Sequence, residues 1–513
     1  MARAHSCSSF AVADSNAVGW FVMASGAPDV STRPVGAQPA GAQPADIASG
    51  GLRRPRRPGT WLLIAGVIAF GVMMACYCSF ILTHPAYRWL VPVDMHVYRL
   101  GGQVVAHQAP AFNARLAAPL YDWPGYGLKF TYTPFAAIVF TILLLPSWAL
   151  LLKLSIAVNI AALAATIWVT LGGLGYRAGF ARLGGTLLLA AALLWTEPVQ
   201  RTIYLGQVEL VLMALIMWDL GQPDRRWWKG AGVGIAAGIK LVPLVFIPYL
   251  LLTRRYRQAS VAAGAFAVSL LLGAVVLPAD SRVYWLDGLF LKGTRTGFPG
   301  WEGNQSLLAV ITRLSGSVAG AQPLWLLAAA VTMIVGTVAA AALDRAGHRT
   351  VGVLTCALTG LLVSPISWDH HWVWIVPGVT ALVVYGIRAR GSIRWAFLAG
   401  AGLLAAAFGA WPGFLWNQPL DLGGFWEGLI WMPPNTNPGT FAKLGDRPWY
   451  AEYHWHGLQL LTGNLFVLAG LIVFVQLAVL AVAGEAVRRR EAVGPAGAPD
   501  PADLAGPTPL ASN

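Results

Sequence analysis

The chain has 513 residues, of which 57% are hydrophobic and only 11% are charged, and its formal net charge is +13. Soluble domains carry about 25% charged residues, so this composition excludes an ordinary soluble enzyme and indicates an integral membrane protein. A strong positive charge is also typical of nucleic-acid-binding proteins. Here the basic residues cluster beside apolar segments, at 53–57, 254–257 and 488–490. The positive-inside rule explains that placement, so no nucleic-acid partner is expected.

The sequence predicts one membrane domain between two polar tails. Residues 1–58 and 487–513 are rich in Ala, Pro and Gly and have no sustained periodicity, so we expect both tails to be disordered, the first one in the cytoplasm. Residues 59–486 should form an all-α, polytopic bundle of about 10–13 transmembrane helices, since one span needs about 20 residues. The apolar segments are 60–83, 131–147, 149–171, 183–196, 206–220, 231–253, 259–278, 323–343, 350–366, 371–387, 394–412 and 458–484.

The basic flanks also predict a topology. The sequence "RRPRR" places the N-terminus in the cytoplasm, so the first helix leads outwards. Three segments rich in Trp, Tyr and Pro, at 84–129, 279–322 and 412–458, then face the exterior and should be structured. The sequence therefore predicts a multi-pass protein of the cell membrane with these three segments on the non-cytoplasmic side.

One apolar segment is predicted to be broken. The basic stretches "DRRWWK" and "RRYR" both favour the cytoplasm, yet a single apolar segment of ordinary length separates them. That segment carries Lys240 and Pro243 near its centre. Two half-helices that enter and return would reconcile the charges, and such a break requires burial in protein or contact with a cavity. A lysine at that position either reaches the membrane surface or binds an anion.

The first candidate site is "VDMHVYR", residues Val93 to Arg99, which follows the first apolar segment. In most loops an acid such as Asp94 is solvated or paired with a neighbouring arginine. Here His96, Tyr98 and Arg99 accompany it at the start of a long external segment. A carboxylate in that position could act as a general base towards a hydroxyl group.

Two further polar stretches interrupt apolar segments. In "TEPVQRTIYLGQVEL", Glu197 and Gln207 would form either a structural network or a functional site at membrane depth. In "GWEGNQSL", Asn304 and Gln305 precede an amphipathic stretch and indicate the start of a helix. The free N–H groups of a helix N-terminus suit a phosphate, although an ordinary helix cap would look the same.

The last candidate is "SPISWDHHWVW", residues Ser364 to Trp374, which joins two apolar segments. Asp369, His370 and His371 could bind a metal ion. Adjacent side chains on a helix point about 100° apart, however, so the two histidines would hardly share one ion. No metal site is therefore predicted, and a histidine that contacts a substrate phosphate or hydroxyl fits better. The chain also lacks the P-loop, GxSxG and HExxH motifs of nucleotide-driven pumps and soluble hydrolases.

The combination of motifs is similar to that of a known family. An acid in the first external loop of a polytopic protein resembles the GT-C glycosyltransferases. The ordered set resembles family GT87, the polyprenyl-phosphate-mannose-dependent α-1,2-mannosyltransferases of the mycobacterial phosphatidylinositol mannoside and lipomannan type, over roughly residues 60–485. Relatives often have Asn where this chain has Glu209, so the role of that position is open. The motifs are "VDMHVYR", "KFTYTPF", "YLGQVELVLMAL", "GIAAGIKLVPLVFIPYLL", "GNQSL" and "SPISWDHHWVW".

The resemblance implies a GT-C fold with structured external loops and an inverting mannose transfer on the periplasmic face, without a cofactor. It implies polyprenyl phosphate mannose as the donor and a mannosylated glycolipid as the acceptor, both reached from the lipid bilayer. Asp94 would be the catalytic base. Donor-phosphate and substrate contacts are expected from His371, His370, Asn304, Gln305, Arg99, Tyr98, His96, Lys240, Gln207, Glu197 and Tyr132.

Three alternatives remain open from the residues alone. The chain could be a GT-C enzyme that uses another lipid-linked sugar, such as an arabinosyl donor. It could be a transporter or flippase, but those proteins usually contain recognisable inverted repeats, and none is evident here. It could also be a structural scaffold, which would not require the polar clusters around Asp94 and His371.

Overall fold

The computed structural model describes residues 58–83, 92–107, 118–122, 128–412, 426–434 and 450–493. The predicted tail 1–58 lies outside these residues except for its last position. So do residues 494–513 and large parts of the loops 84–129 and 412–458. The helices are α1 (Pro58–Thr83), α2 (Val93–Val105), α3 (Pro119–Asp122), α4 (Pro134–Phe140), α5 (Trp148–Gly173), α6 (Phe180–Leu193), α7 (Glu197–Leu205), α8 (Glu209–Gly221), α9 (Ala231–Ile239), α10 (Phe246–Leu252), α11 (Tyr256–Val276), α12 (Pro278–Ser281), α13 (Leu307–Ser315), α14 (Val318–Arg345), α15 (Arg349–Val363), α16 (Ile375–Arg388), α17 (Gly391–Ala407), α18 (Leu458–Thr462) and α19 (Leu465–Val493).

The all-α class predicted from the sequence is confirmed. Within the described part of the chain, the β-structure beyond isolated bridges is one antiparallel pair of two-residue strands, Trp411–Pro412 and Trp426–Glu427. Short 3-10 and π turns connect the α-helices, and the one at Asp369–Trp374 contributes to the site described below. The external segment predicted at 279–322 contains the helices α12 and α13, so it is structured as expected.

Six helices in the described residues are long and apolar enough to cross a membrane, and a bent pair formed by α7 and α8 would make seven. Shorter apolar helices, such as Arg349–Val363, add to the bundle. The chain is therefore a multi-pass membrane protein. The count of about 10–13 crossings stays a prediction, because it requires the shorter helices to span as well. The long candidates are Gly59–Ser79, Trp148–Gly173, Tyr256–Val276, Val318–Arg345, Asp369–Arg388 and Leu465–Ala486.

Local sequence signals explain where several helices begin. Thr133 caps α4 through its hydroxyl, which accepts a hydrogen bond from the N–H of Ala136 at 3.1 Å, and Pro134 follows at the first helical position. Ser306 caps α13 in the same way, accepting from the N–H of Ala309 at 3.2 Å. The helix start predicted from "GNQSL" is thus confirmed.

The first helix packs closely against α6. Gly66 of α1 and Gly184 of α6 lie so near to one another that a Cβ on either residue would collide with the backbone of the other helix. Small residues at such a crossing allow the backbones to approach, which is how membrane helices gain packing energy when lipid provides no hydrophobic drive. This contact fixes the position of α1, which is the helix that precedes Asp94 in the chain.

The surface and the core both suit a bilayer. Large apolar side chains project outwards, for example Ile334 of α14 at 65% and Leu403 of α17 at 72% exposure. A soluble protein would expose few such contiguous faces, so these side chains are expected to contact lipid. Inside the bundle, an apolar cluster includes Phe408 and Phe466, whose rings are stacked with their centroids 4.1 Å apart. Trp372 belongs to the same cluster, so the cluster supports the turn at Asp369–Trp374.

The predicted break in the segment 231–253 is present. Helix α9 ends at Ile239, Lys240 adopts an extended conformation with φ −140° and ψ 131°, and a 3-10 turn at Val242–Val245 leads into α10. Pro243 lacks an N–H group, so the regular helix cannot continue through it. A second break separates α7 from α8, whose axes differ by 117°. Gly206 allows this turn because it adopts a left-handed conformation with φ 70°.

Candidate active site

The interrupted helices place their polar side chains in one region. Asp94 lies in the first turn of α2. Gln207 lies in the break between α7 and α8, and Lys240 lies in the break after α9. His371 lies in the 3-10 turn before α16. A helix interruption frees backbone groups and tolerates polar side chains where a continuous apolar helix would not, which explains why the chemistry is found there.

Gln207 connects Asp94 with two tyrosines. Its side chain hydrogen-bonds to Asp94, and because a carboxylate can only accept, the amide of Gln207 donates. The amide oxygen accepts from the hydroxyl of Tyr98 and, at 3.2 Å, from that of Tyr132. The two hydroxyls are themselves 2.7 Å apart. This network fixes the carboxylate of Asp94 in one orientation, as a general base requires.

The environment of Asp94 makes its carboxylate more basic than that of a solvated aspartate. Burial raises the pKa of this carboxyl group above its ordinary value. The nearby His370, the hydrogen bond from Gln207 and the positive charge of Lys240 oppose that rise in pKa. A carboxylate with a raised pKa is more basic than a solvated one, so it removes a proton from a sugar hydroxyl more readily.

Lys240 is the centre of a second group of charges. Its ammonium forms an ion pair with Glu209 and lies 2.8 Å from Nε2 of His371. Glu209 Oε1 is also 3.7 Å from that nitrogen. The ring of Tyr132 lies 5.6 Å from the ammonium, which connects this group with the network around Asp94. Tyr132 therefore contacts both the cation of Lys240 and the network around Asp94.

A buried array of charges supports the two histidines. Nε of Arg201 donates to Asp369 at 2.9 Å and lies 4.0 Å from Glu197. The other oxygen of Asp369 is 3.0 Å from Nδ1 of His370, which orients that ring. Trp431 donates to Glu197 at 3.0 Å, and its ring lies 4.4 Å from the guanidinium of Arg201. Because the cation of Arg201 attracts both carboxyl groups, the array holds the turn in place.

A partly open cavity begins at the charged group. Glu209, Lys240 and His371 line its polar end. Apart from Ser367, the rest of its wall is apolar, so the cavity suits a ligand with an anionic head and a hydrocarbon tail. The apolar lining residues are Leu212, Met213, Ile216, Val242, Pro243, Val245, Phe246, Ala357, Leu361 and Trp374.

Asn304 and Gln305 are fully buried beside the histidine turn. The side chain of Asn304 accepts from the N–H of Ser367 at 2.9 Å and donates to the carbonyl oxygen of Pro365 at 3.1 Å. Gln305 donates to the carbonyl oxygens of Glu302 and Gly463. These bonds use the amides to join loops, so the geometry favours a supporting role. Contact of either residue with a substrate stays a prediction.

Several other predicted residues lie further from the cavity. The exposed ring of His96 packs on Trp148 with centroids 4.0 Å apart, and Arg99 lies over the same indole at 5.6 Å. Glu197 is held in the array with Arg201 and Trp431. The structure thus brings Asp94, Tyr98, Tyr132, Gln207, Lys240, His370 and His371 together, while His96, Arg99 and Glu197 lie outside that group.

The two histidines differ from the sequence-based expectation in their relative orientation. They lie on a 3-10 turn, and their rings are 4.7 Å apart. One ligand atom from each histidine and one from Glu209 lie within 4.8 Å of one another. Adjacent histidines can therefore face a common point, contrary to the argument from ideal helix geometry. Lys240 contacts two of these three groups, so its ammonium already supplies a positive charge there. The absence of a metal stays a prediction.

The sequence analysis left the role of Glu209 open and did not distinguish Arg201 from the other polar residues of its stretch. Both are buried and charged, and they lie in the two helices of the bent pair, α7 and α8. An ionised side chain at membrane depth requires a partner, so the matching charges Lys240 and Asp369 were the available signal.

Comparisons with known proteins agree with this geometry. Residues 130–365 match the model of glycosyltransferase family 87. The chain is 33% identical over 392 residues to a polyprenol-phosphate-mannose-dependent alpha-(1-2)-phosphatidylinositol pentamannoside mannosyltransferase of Mycobacterium tuberculosis, covering 75% of this chain and 83% of that one. Its identity to the protein of the same name from Mycolicibacterium smegmatis is 34% over 395 residues, or 76% and 88% of the two chains.

A third relative is named for a different acceptor. The polyprenol-phosphate-mannose-dependent alpha-(1-2)-phosphatidylinositol mannoside mannosyltransferase of Mycobacterium tuberculosis is 30% identical over 358 residues, covering 67% of this chain and 80% of its own. No solved structure matches the chain. The matches to the relatives span most of the membrane part, from which the resemblance was first drawn, and that resemblance is confirmed. The chain belongs to glycosyltransferase family 87.

Proposed function

We propose that this glycosyltransferase moves mannose from polyprenyl phosphate mannose to a hydroxyl of a mannosylated glycolipid, of the phosphatidylinositol mannoside or lipomannan type. The relatives bear names with this donor and with phosphatidylinositol mannosides as acceptors. The observation that carries the proposal is the cavity with Lys240 and His371 at its polar end and apolar side chains along its wall. Family membership speaks against the transporter and scaffold alternatives.

The donor fits this cavity by its chemistry. Its phosphodiester carries one negative charge, which suits the ammonium of Lys240 and the imidazole of His371. Its isoprenoid tail would lie against the apolar wall that includes Phe246 and Trp374. A nucleotide sugar has no such tail, and its charged diphosphate would need more cations than this end of the cavity provides.

Asp94 acts as the base of an inverting transfer. Its carboxylate removes the proton from the acceptor hydroxyl while the oxygen of that hydroxyl bonds to the anomeric carbon of mannose. The bond from that carbon to the phosphate oxygen breaks, and its electron pair leaves with polyprenyl phosphate. Gln207 and Tyr98 keep the carboxylate oriented during the transfer.

The leaving phosphate gains a second negative charge, so it needs stabilisation rather than a strong acid. Lys240 and His371 are the groups that meet this need, since fixed cations and hydrogen-bond donors act strongly in a site with little water. His370, oriented by Asp369, adds a further nitrogen close to the same point.

We assign the site to the periplasmic face. The basic stretch before α1 favours the cytoplasm, so α1 would lead to Asp94 on the other side. The histidine turn, which precedes α16, would face the same side. The acceptor would reach the site from the outer leaflet, with its sugar head above the membrane surface.

The decisive experiment compares Asp94→Asn with Asp287→Asn, a matched change at an exposed acid. Purified protein in lipid vesicles receives radiolabelled polyprenyl phosphate mannose and a phosphatidylinositol mannoside extract. We expect the first variant to lose transfer by at least about 100-fold, as for removal of a general base, and the second to retain it. Near-normal transfer by Asp94→Asn would contradict the assignment of the base. No transfer by the unmodified protein from this donor would contradict the proposed function.

A further inference from the structure

The ion pair between Lys240 and Glu209 poses a problem for catalysis. Both residues line the cavity, and their side chains are 17% and 11% exposed. A lysine that is neutralised by a carboxylate has little positive field left for a second anion. Arg201 cannot replace it, because this guanidinium is engaged by Glu197 and Asp369.

We propose that Glu209 is a positioning residue that holds Lys240 in the donor-free enzyme and exchanges it with the lipid-linked phosphate, so that Glu209 promotes release of the product. This inference rests on the proposed function, since it takes a polyprenyl phosphate as the second anion. When the phosphate enters, the ammonium shifts from the carboxylate to the phosphate oxygens. When polyprenyl phosphate leaves, Glu209 takes the ammonium back.

The positions of the two residues suit such an exchange. Lys240 lies in the extended break after α9, and Glu209 lies in the first turn of α8, directly after a bend of 117°. The helix N-terminus stabilises a carboxylate there even when its lysine has moved away. Nε2 of His371 lies 2.8 Å from the ammonium of Lys240 and 3.7 Å from the carboxylate of Glu209. The histidine can therefore stay near the ammonium both when Lys240 is paired with Glu209 and when it is paired with the phosphate.

A structural ion pair would behave differently. Two charges that only stabilise the fold would be enclosed on all sides, as Arg201 and Asp369 nearly are. Lys240 and Glu209 instead face an open cavity together. Loss of Glu209 should therefore strengthen anion binding through Lys240, whereas loss of a purely structural partner would weaken it.

The test uses Glu209→Gln, Lys240→Met and the double variant, with Asp287→Asn as the control for the loss of one negative charge. The full-length protein in detergent is titrated with a short-chain polyprenyl phosphate, and binding is followed by thermophoresis. Transfer is measured separately as kcat and KM for the donor. We expect Glu209→Gln to bind polyprenyl phosphate about tenfold more tightly, with a lower KM and a lower kcat because product release slows.

We expect Lys240→Met to bind polyprenyl phosphate at least about tenfold more weakly. The double variant should bind like Lys240→Met, since the effect of Glu209 acts through the lysine. Weaker binding by Glu209→Gln, or tighter binding that persists in the double variant, would overturn the inference. Failure of the proposed function would give a different result. The unmodified protein and the three variants would show the expected order of affinities for polyprenyl phosphate, but the unmodified protein would transfer no mannose from the donor.

Discussion

Gln207 donates a hydrogen bond to the carboxylate of Asp94 from a break between two helices more than a hundred positions further along the chain. The same amide accepts hydrogen bonds from Tyr98 and Tyr132. One neutral side chain thus connects Asp94 with the hydroxyl groups of both tyrosines. If Asp94 is the base, as proposed, its orientation depends on this amide.

Replacement of Gln207 by Ala should lower kcat by about 10- to 100-fold, because the base would no longer be held in a productive orientation. The donor KM should change less, since Lys240 and His371 are intact. Steady-state transfer kinetics test this expectation. Gln222→Ala, at the other end of α8, is a matched control, since its amide donates to the carbonyl oxygen of Trp218 one turn earlier. Equal losses in both variants would point to damage to the helix rather than to the base.

The pH dependence of transfer should show the raised pKa of Asp94. The base works only when it is deprotonated, so activity falls as the pH drops through its pKa. Because burial raises that pKa, the acid limb of kcat/KM should lie above the range of an ordinary aspartate, whose pKa is about 4.

The variant Gln207→Leu sharpens this test. The hydrogen bond from Gln207 favours the charged form of Asp94, so its loss should raise the pKa further. The acid limb of the remaining activity should then move to higher pH. An unchanged limb, or one that moves to lower pH, would show that another group controls it.

Chelation of divalent cations should leave transfer unchanged. Glu209, His370 and His371 could face one ion, but Lys240 contacts two of them and supplies a charge at that place. The measurement is transfer before and after treatment with EDTA, followed by removal of the chelator and addition of Zn²⁺ or Mn²⁺. Loss of activity that one of these ions restores would show that the cluster binds a metal in the working enzyme.

Arg201→Met should destabilise the fold by about 3–5 kcal/mol, because it leaves two buried carboxylates without their cation. Thermal unfolding in detergent should show a clear decrease in Tm. Arg282→Met, at an exposed arginine, is the matched control and should unfold like the unmodified protein. If both variants kept the original Tm, the array around Asp369 would not be a structural support.

Sequence patterns predicted the all-α class, a helix start and a helix break correctly, because apolar length, helix caps and flanking charge act locally. The break at Lys240 followed from a charge conflict and a proline, and the start of α13 followed from Ser306. The positions of Asn304 and Gln305 could not be derived, since their hydrogen bonds join loops that are distant in sequence. The approach of both histidines to Glu209 also escaped prediction, because it depends on a 3-10 turn rather than an ideal helix.

The placement of functional side chains at helix interruptions limits how the family's sequences can vary in length. A single residue inserted in the first turn of α8 would rotate Glu209 by about 100° relative to the remainder of that helix. The same insertion near its far end, at Gly221, would leave the break and Gln207 undisturbed. Insertions and deletions should therefore be tolerated least in the helical turns beside an interruption. They should be tolerated most at the end of the helix that lies furthest from the interruption.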